Sequence, residues 1–142
     1  MTGEARLARR IVVGYDGSEP ARRALRRAGE LAGGGGSVVV VTAALILVSD
    51  ARTGDVVDPA HAEERERLLV EARTALAREG IAASTVAVDG DAGAALVDAA
   101  QAVEASVVVV GTRGRSRLAK TLLGSVSTRV VHDAPCDVLV VR

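Results

Sequence analysis

The stretch SVVVVGTRGRSRLAKTLLGSV, residues 106–126, joins two unlike kinds of sequence. Residues 107–110 are valine throughout, without alternation, as in a strand covered on both faces. Then Gly111, Gly114 and Gly124 are interspersed with Arg113, Arg115, Arg117 and Lys120 before the chain turns apolar again. A simple connection needs only a few residues, and each glycine costs backbone entropy on folding. A long loop of this composition after a buried strand points to a site carried at that strand's carboxyl end.

The same alternation of apolar run and helical pattern extends in both directions. RIVVGY (10–15) reads as a short buried strand, and DGS (16–18) as a turn with Ser18 as helix N-cap. Ala21, Ala24, Leu25, Ala28, Leu31 and Ala32 then recur at helical spacing between arginines. GGGG (33–36) stops that helix, and SVVVVTAA (37–44) is a second buried strand. Residues 49–60 read as a polar loop. Over 61–79, Leu68, Leu69, Ala72, Ala75 and Leu76 share one helical face, with Gly80 as C-cap. IAASTVAV (81–88) reads as a third strand, and DGDAG (89–93) as a loop before a helix carrying Ala95, Leu96, Ala99, Ala100 and Val103. After the long loop, Val126, Val130 and Val131 mark a short helix ending near His132 and Pro135, and CDVLVVR (136–142) is the fifth strand. Helical crossovers make neighbouring strands parallel. The expectation is α/β: a single doubly wound domain over 1–142, its five-stranded parallel sheet in the order 3-2-1-4-5 with helices on both faces.

Composition narrows the function. Lys plus Arg equals Asp plus Glu at 18 each, so no global charge favours a polyanion. Tyr15 is the one aromatic residue, whereas single-strand nucleic-acid platforms stack bases on several rings. No nucleic-acid partner is expected. Cys136 is alone, which excludes an internal disulfide and a cysteine zinc cluster. The apolar runs fall short of the ~20 residues that span a bilayer, and MTGEARLARR has no signal-peptide core. No membrane association is expected, and the location is read as cytoplasmic.

Sheets of this kind bind ligands beyond the carboxyl ends of their strands, where strand order reverses. For order 3-2-1-4-5 that point lies between strands one and four, bringing DGS, TAA, VDGD and GTRG to one edge. Gly111 and Gly114 let backbone N–H groups approach a ligand. Gly124 and Ser125 stand where the last helix begins, and free N–H groups there attract anions. These features suit a phosphate-binding loop. Neither G-x-x-x-x-G-K-[ST] nor a G-x-G-x-x-G after strand one occurs.

The spacing Gly111-x2-Gly114-x9-Gly124-Ser125 resembles the G-2x-G-9x-G-[S/T] signature of ATP-binding universal stress proteins. IVVGYDGSEPARRAL and GSVSTRVVHDAPCDVLVVR resemble the opening and close of that family, so the likeness covers about Arg10 to Arg142. It implies a pose for ATP, arriving with Mg2+ held mainly by phosphate oxygens and water. Asp16 faces the ribose; Ala43 and the backbone around Val88 lie near adenine. Gly111, Gly114, Gly124, Ser125 and Val126 hold the phosphates, with Thr112 and Arg113 contributing. The family's last strand commonly pairs across a homodimer, which makes Val138, Val140 and Val141 interface candidates. Three departures stand out: Thr42 where the family often has His, a bulky Tyr15 before Asp16, and no proline after Gly90-Asp91.

The resemblance implies an ATP-binding regulator of a stress response, acting on an unidentified protein partner. The glycine loop holds no carboxylate, His or Gln to orient water, so binding is favoured over turnover and any hydrolysis is expected to be slow. The alternatives are a dimeric interaction module without nucleotide, a slow ATPase or phosphotransferase, and a flavin or nicotinamide protein. Each residue also has a plainer reading: Asp16 as a turn former, Ser125 as a cap, the arginines as solvated charges, Cys136 as a small buried apolar residue, and Asp89 and Asp91 as turn or cap residues.

Overall fold

In the computed structural model, residues 9–44, 59–112 and 124–142 are described. The order is β1 (Arg10–Gly14), α1 (Glu19–Ala32), a 3-10 turn at Gly33–Gly35, β2 (Ser37–Ala44), α2 (Pro59–Arg78), β3 (Ala82–Asp89), α3 (Ala92–Val103), β4 (Val107–Gly111), α4 (Ser125–Asp133) and β5 (Asp137–Val141). The five strands form one sheet in the order β3-β2-β1-β4-β5, every pair parallel. β1 is central: Val12 stands beside Val39 on one side and Val108 on the other.

The valine runs make this possible. Ile11 and Val13 point into one core with Val38, Val40 and Val109, under α1 and α2. Val12, Val41, Val108 and Val110 point into a second core with Ala95, Leu96, Ala100 and Val130, under α3 and α4. Ile11, Val12, Val13, Val38, Val40, Val108 and Val109 are fully buried. Each such side chain contributes about 1.5–3 kcal/mol of transfer free energy.

The helices end where their sequences dictate. Ser18 Oγ accepts from Ala21 N–H at 3.3 Å, with Pro20 in the first turn. Gly33, at φ 60, caps α1 and Gly80, at φ 72, follows α2. One boundary needs correction. Pro59 and Ala60, read as loop, belong to α2, because proline suits a first helical turn. β3 is an edge strand, as the order 3-2-1-4-5 places it, with Ala82, Ser84, Val86, Ala87 and Asp89 exposed. The rest of the loop read over 49–60 lies outside the described residues.

Candidate functional site

β1 and β4 are neighbours whose following segments leave toward different layers, α1 over one core and α4 over the other. A cavity opens between their carboxyl ends, as the switch-point rule requires. Gly14, Tyr15 and Asp16 from the end of β1, Val41 and Ala43 from β2, and Val110 and Gly111 from β4 form much of its lining. Ser18 and Ala21 at the start of α1, Ala92 and Leu96 from α3, and Val126 from α4 complete it.

The structure thus brings Asp16, Ala43, Gly111 and Val126 to one cavity. Val88 pairs in register with Ala43, one strand further out, and does not line it. Thr112, Gly124 and Ser125 adjoin the lining residues Gly111 and Val126 in the chain. Thr112 N–H donates to Val141 O at 2.9 Å, and Gly124 N–H donates to Thr112 O at 2.7 Å, which ties the start of α4 to the end of β4. Arg113 and Gly114, with Arg115, Arg117 and Lys120, lie outside the described residues. Ala92 and Leu96 were not foreseen as lining. Their one signal in sequence is position: the opening turns of a helix that follows a strand end at the same edge.

The local geometry has plain causes. A Cβ on Gly111 would sit 2.7 Å from Pro20 Cβ and 2.9 Å from the Pro20 carbonyl carbon, so glycine here lets α1 approach β4. Asp16 Oδ1 accepts from Ser18 N–H at 2.9 Å, an Asx turn that leads directly into the α1 cap. Gly17, between them, takes φ 80.

The three helices that contribute to the lining begin differently. Ser18 caps α1, and Asp91 Oδ1 caps α3 by accepting from Gly93 N–H at 3.2 Å. α4 begins at Gly124, which supplies no side-chain cap. Ser127 Oγ turns back to Gly124 O at 3.0 Å and Thr128 N–H begins the ladder to the same carbonyl. The orphan N–H groups of the first turn, at the positive end of the helix dipole, therefore have no side-chain acceptor from the cap residue.

Behind the cavity is a polar cluster. Tyr15 is 4% exposed, and its phenol donates to Glu71 Oε1 on α2. Arg22 Nε on α1 donates to the same oxygen at 3.3 Å. Burial first, and then the Glu71 bond, push the phenol up to about 12. The Tyr15 hydrogen bond leads the causes that hold Glu71 below its usual value. Thr42, buried at the end of β2, donates from Oγ1 to the Tyr15 carbonyl at 2.9 Å. On α2, Arg65 pairs with Asp89 and reaches Val88 O at 3.5 Å. Among the described residues, no group of three or more His, Cys, Asp or Glu could hold a metal ion, and no helix is long and apolar enough to cross a membrane.

The sequence profile of the Universal stress protein family matches residues 8–142. The chain belongs to the universal stress protein family. Among its relatives, universal stress protein YxiE of Bacillus subtilis (strain 168) is 30% identical, over 94% of this chain and 98% of that one. A universal stress protein solved in complex with cAMP is 33% identical, covers 94% of this chain and 97% of its own, and superposes with a TM-score of 0.73. A family member from Archaeoglobus fulgidus, solved in complex with dAMP, is 27% identical with a TM-score of 0.71, over 94% of this chain and 98% of its own. The sheet order expected from the sequence is the family's fold.

Proposed function

We propose that this chain is an ATP-binding regulatory protein of the stress response. The observation that carries the reading is the start of α4. It lacks a side-chain cap, it is bonded to the end of β4, and Val126 in its first turn lines the switch-point cavity. An anion placed there would meet N–H groups and the helix dipole. The cavity itself suits a purine ring and its sugar. Val41, Leu96, Val110 and Val126 give it apolar walls, and Asp16 offers a carboxylate to a hydroxyl. Its volume is about 100 Å³, room for part of a nucleotide. The phosphates would then lie outside it, over Gly111, Thr112, Gly124 and Ser125 and the loop that includes Arg113 and Gly114. Magnesium would come with the triphosphate, held by its oxygens and water. The two relatives bound to cAMP and dAMP support an adenine ligand. The same reading includes a homodimer through Val138, Val140 and Val141 on edge strand β5, which would cover an otherwise unpaired edge.

Calorimetric titration of nucleotide-stripped protein with ATP and magnesium, and separately with cAMP, tests the reading. Saturation near one ATP per chain is expected. Gly124→Ala should weaken ATP binding without unfolding the chain, because Gly124 sits at φ −73, ψ 173, which any residue adopts. Tight binding of cAMP alone would make the protein a mononucleotide sensor. No binding of either would leave the dimeric interaction module as the better reading.

A further inference from the structure

Tyr15 is the chain's one aromatic residue, and each of its polar groups is tied. Its N–H donates to Val41 O at 3.0 Å, and its carbonyl accepts from Thr42 Oγ1 at 2.9 Å. Its phenol donates to Glu71 Oε1, which Arg22 Nε also reaches at 3.3 Å. Val41 and Thr42 belong to β2, Glu71 to α2, and Arg22 to the first turns of α1. One residue therefore joins three elements around one side of the cavity. The next residue in the chain is Asp16.

Packing alone does not require this arrangement. A phenylalanine would fill the same space in the core cluster that includes Leu69 and Ala72. The Glu71 side chain is 43% exposed and could be solvated instead. What the phenol–carboxylate bond adds is direction, because a charge-assisted hydrogen bond is short and geometrically selective. The turn after β1 is held from within by the Asp16–Ser18 bond. It is held from behind by Tyr15.

We propose that Tyr15 and Glu71 are a positioning pair for the nucleotide site, fixing the turn after β1 so that Asp16 meets the ligand's hydroxyl. This rests on the reading given under Proposed function. Tyr15 lines the cavity, and the pair acts through the backbone of Tyr15 and Asp16, with the phenol turned to Glu71. Binding sites gain affinity when such geometry is set before the ligand arrives.

The test is ATP titration of the parent chain, Tyr15→Phe, Glu71→Leu, Glu71→Gln and the double variant Tyr15→Phe/Glu71→Leu. Melting of each without nucleotide confirms that it is folded. Tyr15→Phe and Glu71→Leu should each weaken ATP binding about tenfold, the scale of one charge-assisted hydrogen bond. The double variant should be no weaker than either single one. Glu71→Gln keeps a neutral acceptor and should recover part of the affinity. A spectroscopic readout accompanies these. With no Trp or Phe in the chain, tyrosine emission reports this phenol alone, and it should already differ between the parent and Glu71→Leu without nucleotide, as a bond set before the ligand arrives requires. If the parent binds ATP and both single variants match it within about twofold while only their melting falls, the pair is structural and the proposal fails. If the parent binds neither ATP nor cAMP, the reading of the site fails and takes the proposal with it.

Discussion

Two glycines of the expected motif sit in different local structure, Gly111 at the end of β4 and Gly124 at the start of α4. Gly111 stands under α1, where an added Cβ would press on Pro20 Cβ at 2.7 Å, its carbonyl carbon at 2.9 Å and Ala21 N at 3.1 Å. Backbone and a proline ring cannot yield, so α1 and β4 must separate. Gly111→Ala should destabilise the chain by about 1–3 kcal/mol, the usual cost of forced overpacking, visible as a lower melting temperature with or without nucleotide. Gly124→Ala should leave the melting temperature of the free protein nearly unchanged. The motif shows in the sequence as a spacing of glycines, but the spacing does not say that Gly111 is also needed for the packing of α1 on β4. Tyr15 is a similar case. It is visible as a bulky residue before Asp16, yet its partner Glu71 is 56 positions away, on the far side of β2 in the chain. Only the packing of α2 against α1 and β2 brings them together.

Among elements, the start of α4 carries the sharpest prediction. α1 and α3 begin with a side chain that accepts one of their own N–H groups. α4 has glycine there. Gly124→Asp would place a carboxylate at that start, where it can accept a first-turn N–H and oppose the helix dipole favourably. The gain in stability should be a few tenths to about 1 kcal/mol. The same carboxylate would repel a phosphate at the same N–H groups. Melting temperature and ATP affinity should therefore move in opposite directions, and calorimetry with thermal unfolding checks both. An unchanged affinity would put the phosphates elsewhere. The elements themselves were legible. Unbroken valine runs mark strands covered on both faces, and Ser18, Gly33 and Gly80 mark helix ends. The rank of the strands was legible as the order 3-2-1-4-5, but the exposure of β3 was not: IAASTVAV is nearly as apolar as SVVVVTAA, so composition does not show how open that edge strand is. The boundary at Pro59 blurred because proline reads equally as loop and as first turn.

Across the whole molecule, one hydrogen bond bears on stability at both ends of the pH range. Burial and Glu71 raise the Tyr15 phenol from 10.0 to about 12, and burial raises the Cys136 thiol above its ordinary 9.0. For an acid whose folded value is raised, the native state keeps the proton that the unfolded state releases. The contribution to stability is present below the unfolded value and is lost as pH climbs from there through the folded value. For Tyr15 that window runs from 10.0 to about 12, and for Cys136 it opens above 9.0. Glu71 has the opposite sign. Its folded value is lowered from 4.5, mainly by the Tyr15 hydroxyl, so its contribution is present above 4.5 and fades as pH falls further. Melting temperature against pH should therefore show a plateau with an acid limb below about 4.5 and an alkaline limb above about 9. Tyr15→Phe removes the phenol from the alkaline limb and the leading cause of Glu71's shift from the acid limb, so both should flatten together. Cys136→Ala should flatten only the early part of the alkaline limb. If Tyr15→Phe changes the alkaline limb alone, Glu71 takes its stabilisation from Arg22, and the carboxylate that joins α1, α2 and β1 does so through charge and not through the phenol.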